Sequence, residues 1–83
     1  MKVIYKYELA KTITMPINSQ ILKVGMQNGI MYIWVLVDVN QKQTYYANFE
    51  IIGTGHSFDD TNMKYIGTYQ DGPFVWHLFE DKN

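Results

Sequence analysis

The chain has no cysteine and no arginine, and its 83 residues include only two prolines and two serines. Each shortage excludes something. Without cysteine there is no disulfide staple, no thiolate zinc site and no thiol nucleophile. Small secreted domains usually lean on disulfides, so their absence leads us to expect a reducing, cytoplasmic setting. Without arginine the chain lacks the planar fork that grips phosphates and guanine edges. The seven lysines are scattered and the net charge is −1, which leaves no basic patch for double-stranded nucleic acid. Stacking of single strands on aromatics needs fewer charges. No segment reaches the ~20 apolar residues that span a bilayer. Lys6 and Glu8 also interrupt the N-terminal stretch where a signal peptide keeps an apolar run, so no membrane partner is expected. Sustained helical periodicity, internal repeats and low-complexity runs are missing too.

Apolar and aromatic residues are plentiful. Hydrophobic residues make up 47% and aromatics 16%, which excludes intrinsic disorder. The length allows one domain over residues 1–83, burying only roughly 60–65% of the surface its unfolded chain exposes. A core that thin gains from association with a second copy.

The pattern is β almost throughout. VIYKYEL alternates, with Val3, Tyr5, Tyr7 and Leu9 on one face and Lys6 and Glu8 on the other. TITMP is a short extended piece ending at Pro16, and INSQ is a turn. Asn28-Gly29 between two apolar runs is the signature of a two-residue hairpin turn, because both residues need positive φ. The register this implies pairs Gln27 with Ile30, Met26 with Met31, Val24 with Ile33 and Leu22 with Val35. One face then carries Leu22, Val24, Met26, Met31, Ile33, Val35 and Val37 as core. The other carries Ile21, Lys23, Gly25, Tyr32, Trp34 and Leu36, so this strand needs cover on both sides. TYYANFEII places Tyr45, Ala47, Phe49 and Ile51 together. After the polar stretch GTGHSFDDTN come KYIGTYQ, an Asp71-Gly72-Pro73 turn and FVWHLFE. SFDDTNM has the residues for one helical turn capped by Ser57. The expected fold is all-β: a small antiparallel roll, barrel or sandwich of five to six strands with an Asn-Gly hairpin.

Taken in order, MKVIYKYEL, ILKVGMQNG with WVLVD, FEIIGTGH, YIGTYQ and VWHLFE resemble a family of small proteins encoded by bacteriophages and prophages. The resemblance covers nearly the whole chain and marks Gly53, Thr54, Gly55, His56, Tyr65, Gly67, Thr68, Trp76 and His77. It carries no biochemical activity with it. It implies a setting in which small cysteine-free proteins modulate the host, often by countering host defence.

Several residues are candidates for a site. Gly53-Thr54-Gly55-His56 reads as a strand end, where glycine is a backbone device. The competing reading is an anion nest, whose converging N–H groups and imidazole hold a phosphate. The helix and lysine of a P-loop are absent. His56, Asp59, Asp60 and His77 lack the spacing of a zinc helix, so no metal is expected. Ser19 and Ser57 stand in no nucleophile elbow, and a chain of this size has little room for a substrate, so no catalytic residue is assigned. Tyr32 and Trp34 on one strand, and Phe74 and Trp76 on another, serve either as core or as a patch for self-association or for stacking a base.

These readings converge on a non-catalytic, cofactor-free binding protein of the host cytoplasm that works as a homo-oligomer. It would sequester a small phosphate-containing, nucleotide-like signal. The expected ligand contacts are Gly53, Thr54, Gly55, His56, Trp34, Trp76 and His77, with Lys64 as counter-charge. One alternative is a protein–protein inhibitor of a host enzyme or defence complex; another is a small enzyme acting through His56.

Overall fold

The computed structural model describes residues 1–82. Seven strands follow one another: β1 (Lys2–Glu8), β2 (Thr12–Pro16), β3 (Gln20–Gln27), β4 (Ile30–Asp38), β5 (Thr44–Gly53), β6 (Met63–Asp71) and β7 (Phe74–Asp81). They form a three-stranded sheet, β1-β4-β3, and a four-stranded sheet, β2-β5-β7-β6. Every pairing is antiparallel. The expectation of five to six strands falls short of these seven. The strand it underrated is β2, which pairs with β5 from Thr12 opposite Asn48 to Pro16 opposite Thr44. A proline-ended segment persists because β2 is an edge strand with only one neighbour.

Period-two alternation explains which side chains meet. Ile33, Val35 and Val37 of β4 are almost completely buried, as are Met15 of β2, Ala47 of β5 and Leu78 of β7. Ile13, Val24, Phe49 and Tyr69 complete a core drawn from both sheets. The Cα envelope measures 41 × 32 × 15 Å, and its short dimension is that of two sheets stacked ~10 Å apart. Gly67 lets the corner between β6 and β3 close, because a Cβ there would lie 2.9 Å from Val24 Cγ1.

Asn28 and Gly29, at φ 53° and 79°, connect β3 to β4. Gln27 stands opposite Ile30, Met26 opposite Met31 and Val24 opposite Ile33. The expected register fails beyond that point. A shift between Ile21 and Lys23 sets Ile21, not Leu22, opposite Val35. Leu22 is therefore 46% exposed, while Ile21 packs against the core. One extra residue in a bulge exchanges the two faces of the strand beyond it.

The second face of β4 is half-buried without a third layer. β4 is the central strand of its sheet. The Lys6 ammonium sits 4.5 Å from the centre of the Tyr32 ring, and that of Lys23 sits 5.3 Å from Trp34. Their aliphatic stems cover the aromatics from neighbouring strands. SFDDTNM forms no helical turn: residues 56–60 have no regular structure, and Asn62 turns the chain into β6 at φ 61°.

Candidate ligand pocket at the GTGH turn

GTGH is a β-turn that closes the end of β5. His56 N–H donates to the Gly53 carbonyl at 3.1 Å, and Gly55 takes the third position with φ 88°. That position needs a positive φ in a type II turn, which is why a glycine stands there. The strand-end reading is correct in backbone terms. Thr54 N–H donates to the Val75 carbonyl at 3.3 Å. Two of the N–H groups that a phosphate nest would use are thus already engaged, and the convergent array is not formed.

The turn sends its side chains to two sides of the sheet. Gly53 pairs directly with Trp76 on β7 and is buried. A Cβ on Gly53 would meet His56 Cε1 and Nδ1 at 3.0 Å and Trp76 Cζ3 at 3.1 Å, so both rings lie over the bare backbone. Beside them opens a cavity of about 240 Å³, floored by Gly53 and Thr54 and walled by His56, Phe74, Val75 and Trp76. Pro73 also lines it. The Phe74 and Trp76 rings are 6.0 Å apart and inclined by 35°. Tyr69 stands opposite Trp76 on β6, and burial raises its hydroxyl pKa above the ordinary tyrosine value, with the Asp71 charge adding to this.

On the outer side, Thr54 joins a chain of hydrogen bonds. Its hydroxyl donates to the Val75 carbonyl at 3.1 Å and lies 2.8 Å from His77 Nε2. A hydroxyl has one proton to give, so it accepts from His77, which fixes the proton on Nε2. Nδ1 of His77 then accepts from Thr68 Oγ1 at 3.1 Å, and the Tyr65 hydroxyl lies 2.5 Å from the same Thr68 oxygen. His77 is therefore a clasp between β6, β7 and the turn, with both ring nitrogens occupied. Nearby, Phe58 leaves the polar loop to pack on Phe79 at 5.0 Å, and Tyr65 meets Phe79 from the other side at 5.5 Å.

The eight candidate residues do not all converge. Gly53, Thr54, His56 and Trp76 border one cavity. Gly55 shapes the turn, and His77 reaches the cavity only through Thr54. Trp34 belongs to the other sheet, beside Tyr32 and under Lys23. Lys64 lies opposite Glu80, three register positions from the His77–Thr68 pair, and does not line the cavity. Asp59 turns inward on its own loop, accepting from Thr61 N–H at 2.9 Å, and its Thr61 hydrogen bonds hold its pKa below the ordinary carboxylate value. Among the described residues, no three of the histidines and carboxylates are grouped to hold a metal ion. The sequence reading paired Phe74 with Trp76 as core or stacking patch but did not assign it as a ligand contact, and it took Pro73 only as part of a turn. It also missed the cover that Phe58 provides, which a lone aromatic in a polar loop could have suggested.

Residues 1–83 match a single family model over their whole length, a domain of unknown function designated DUF7352. The chain belongs to this family. Neither the curated proteins nor the solved structures hold a match to it. In this DUF7352 chain, therefore, the aromatic cavity and the histidine clasp are the observations on which a function can be argued.

Proposed function

We propose that the protein is a non-catalytic binding protein that captures a small ring-bearing ligand with a phosphate, of nucleotide type, in the cavity beside the GTGH turn. One observation carries this reading: the Phe74 and Trp76 rings and the His56 imidazole border one cavity of about 240 Å³, and the missing Gly53 side chain is what lets His56 and Trp76 pack together at its edge. A planar base stacks against Trp76 or Phe74, as bases do on exposed aromatics. His56, beside the Gly53 backbone, donates to the phosphate. No lysine lines the cavity, so the remaining counter-charge comes from a second copy of the chain. In the bacteriophage setting that the motif resemblance implies, such capture would withhold a host signal nucleotide.

The test is a thermal melt with mononucleotides, dinucleotides and cyclic nucleotides. At a hundredfold excess over its dissociation constant, the cognate ligand stabilises the fold by ~2.7 kcal/mol. For a domain of this size each kcal/mol raises the melting temperature by roughly 4–8 °C. The shift should vanish in His56→Ala and Trp76→Ala. If no member of the panel moves the melting temperature, or if both variants keep the shift, the reading is wrong. A protein–protein inhibitor is the second reading, favoured by the 60% exposure of Phe74 and 55% exposure of Tyr65 on the same sheet. It predicts an unaltered melt with every nucleotide and a host protein bound through those two side chains.

A further inference from the structure

A second cavity, of about 300 Å³, lies where the chain crosses from β1 to β2. It is lined by Leu9, Ala10, Lys11, Met31, Phe49 and Ile51. The crossing segment is tied to both sheets: Leu9 N–H donates to the Met31 carbonyl at 2.9 Å, and Phe49 N–H donates to the Lys11 carbonyl at 2.8 Å. Backbone bonds at both ends make the segment a strut that keeps the groove preformed.

Two features of this groove go beyond fold maintenance. Ile51 lies on the core-facing side of β5, in step with Ala47 and Phe49, yet it is 47% exposed where those two are buried. The inner face of β5 thus runs past the core and presents an uncovered apolar wall. The lining also holds one charged group, the exposed Lys11, and no carboxylate. An apolar trough whose lining includes one lysine and no carboxylate is the complement of an amphiphile with one anionic head. We propose that this groove binds a medium-chain alkyl carboxylate, its chain laid between Met31, Phe49 and Ile51 and its head at the Lys11 ammonium. This site is separate from the cavity beside Trp76 and does not depend on the nucleotide reading.

Hexanoate, octanoate and decanoate, titrated below their micelle concentrations, test it. Binding is followed through the NMR methyl signals of Met31 and Ile51. Each added methylene should tighten binding roughly fourfold, the equivalent of ~0.8 kcal/mol per buried CH₂, until the groove is full. Lys11→Glu, a surface change, should lose the carboxylates and take up the alkylamine of equal length. Three results would overturn the proposal: no shift at Met31 and Ile51 at millimolar ligand, an affinity that ignores chain length, or a Lys11→Glu variant with unchanged preference for the carboxylate. The chain-length series is run on the unaltered protein, so it decides the matter even if the variant folds poorly.

Discussion

Each of the two tryptophans lies over a glycine on the neighbouring strand, and the two pairs have different uses. Trp34 stands on the outer face of the three-stranded sheet, with its Cζ3 3.7 Å from where a Cβ on Gly25 would be and the Lys23 ammonium 5.3 Å from the ring centre. Trp76 stands on the inner face of the four-stranded sheet, with its Cζ3 3.1 Å from the Cβ position of Gly53, and packs against the core. The Trp34 pair leaves ordinary van der Waals space and is filled by a lysine stem. At Trp76 a Cβ would crowd two rings, and a cavity remains beside them. An aromatic in a strand is thus defined less by its own exposure than by what its cross-strand glycine is spared from touching.

Truncating each tryptophan gives the largest separation between the two pairs. Trp76→Ala should cost roughly 2–3 kcal/mol, below the 3–5 of a fully buried tryptophan because its ring is only half-buried. Trp34→Ala should cost less, roughly 1–2 kcal/mol, because its ring, also half-buried, packs on Tyr32 and the Lys23 stem and not on the core. Urea denaturation measures both, and equal costs would abolish the distinction.

The glycines themselves supply a finer test, with opposite signs. Gly53→Ala should destabilise by ~1 kcal/mol through crowding of His56 and Trp76, and should close the cavity to any ligand. Gly25→Ala should be neutral or should stabilise by up to ~0.5 kcal/mol, since its Cβ meets only ordinary contacts and a strand glycine is entropically costly. A gain at Gly53 would show that the turn and Trp76 yield easily, and the pocket argument would weaken with it.

The smallest difference lies in the polar contacts of the two sheets. The Tyr45 hydroxyl donates to Glu80 Oε2 at 3.2 Å in the four-stranded sheet. Burial, then the negative charge of Glu80 and their hydrogen bond, push its pKa up to about 12. The folded state therefore holds this proton more tightly than the unfolded chain, whose tyrosine titrates near ~10. The stabilisation is complete below pH ~10 and is lost as pH rises toward 12. Tyr45→Phe should flatten that alkaline decline in a pH series of melts. In the Lys6–Tyr32 and Lys23–Trp34 contacts of the other sheet the lysines are exposed, so salt should weaken them more than it weakens the Tyr45–Glu80 bond.

Alternation in VIYKYEL, IMYIWVLVDV and TYYANFEII was enough to assign inner and outer faces for most of the chain, and those faces are the ones that pack. Of the site, the GTGH turn and Trp76 were legible because glycines and aromatics in a polar setting are conspicuous. Phe58 and the Thr54–His77–Thr68 clasp were not, since the clasp joins residues 23 and 9 positions apart in the chain. Trp34 and Lys64 looked equally suitable as ligand contacts, and strand order alone removed them from the cavity.

By itself, then, the sequence determined the strand class, the side that most strand residues face, the positive-φ turn at Asn28-Gly29, and the lack of any thiol or guanidinium chemistry. Those properties are local: they follow from a two-residue period and from the conformational freedom of single residues. Tertiary structure decided the bulge that turned Leu22 outward, the pairing of β2 with β5, and which tryptophan borders a cavity. Each depends on which strands lie side by side and how closely two sheets approach, and that is settled by packing between residues far apart in the chain.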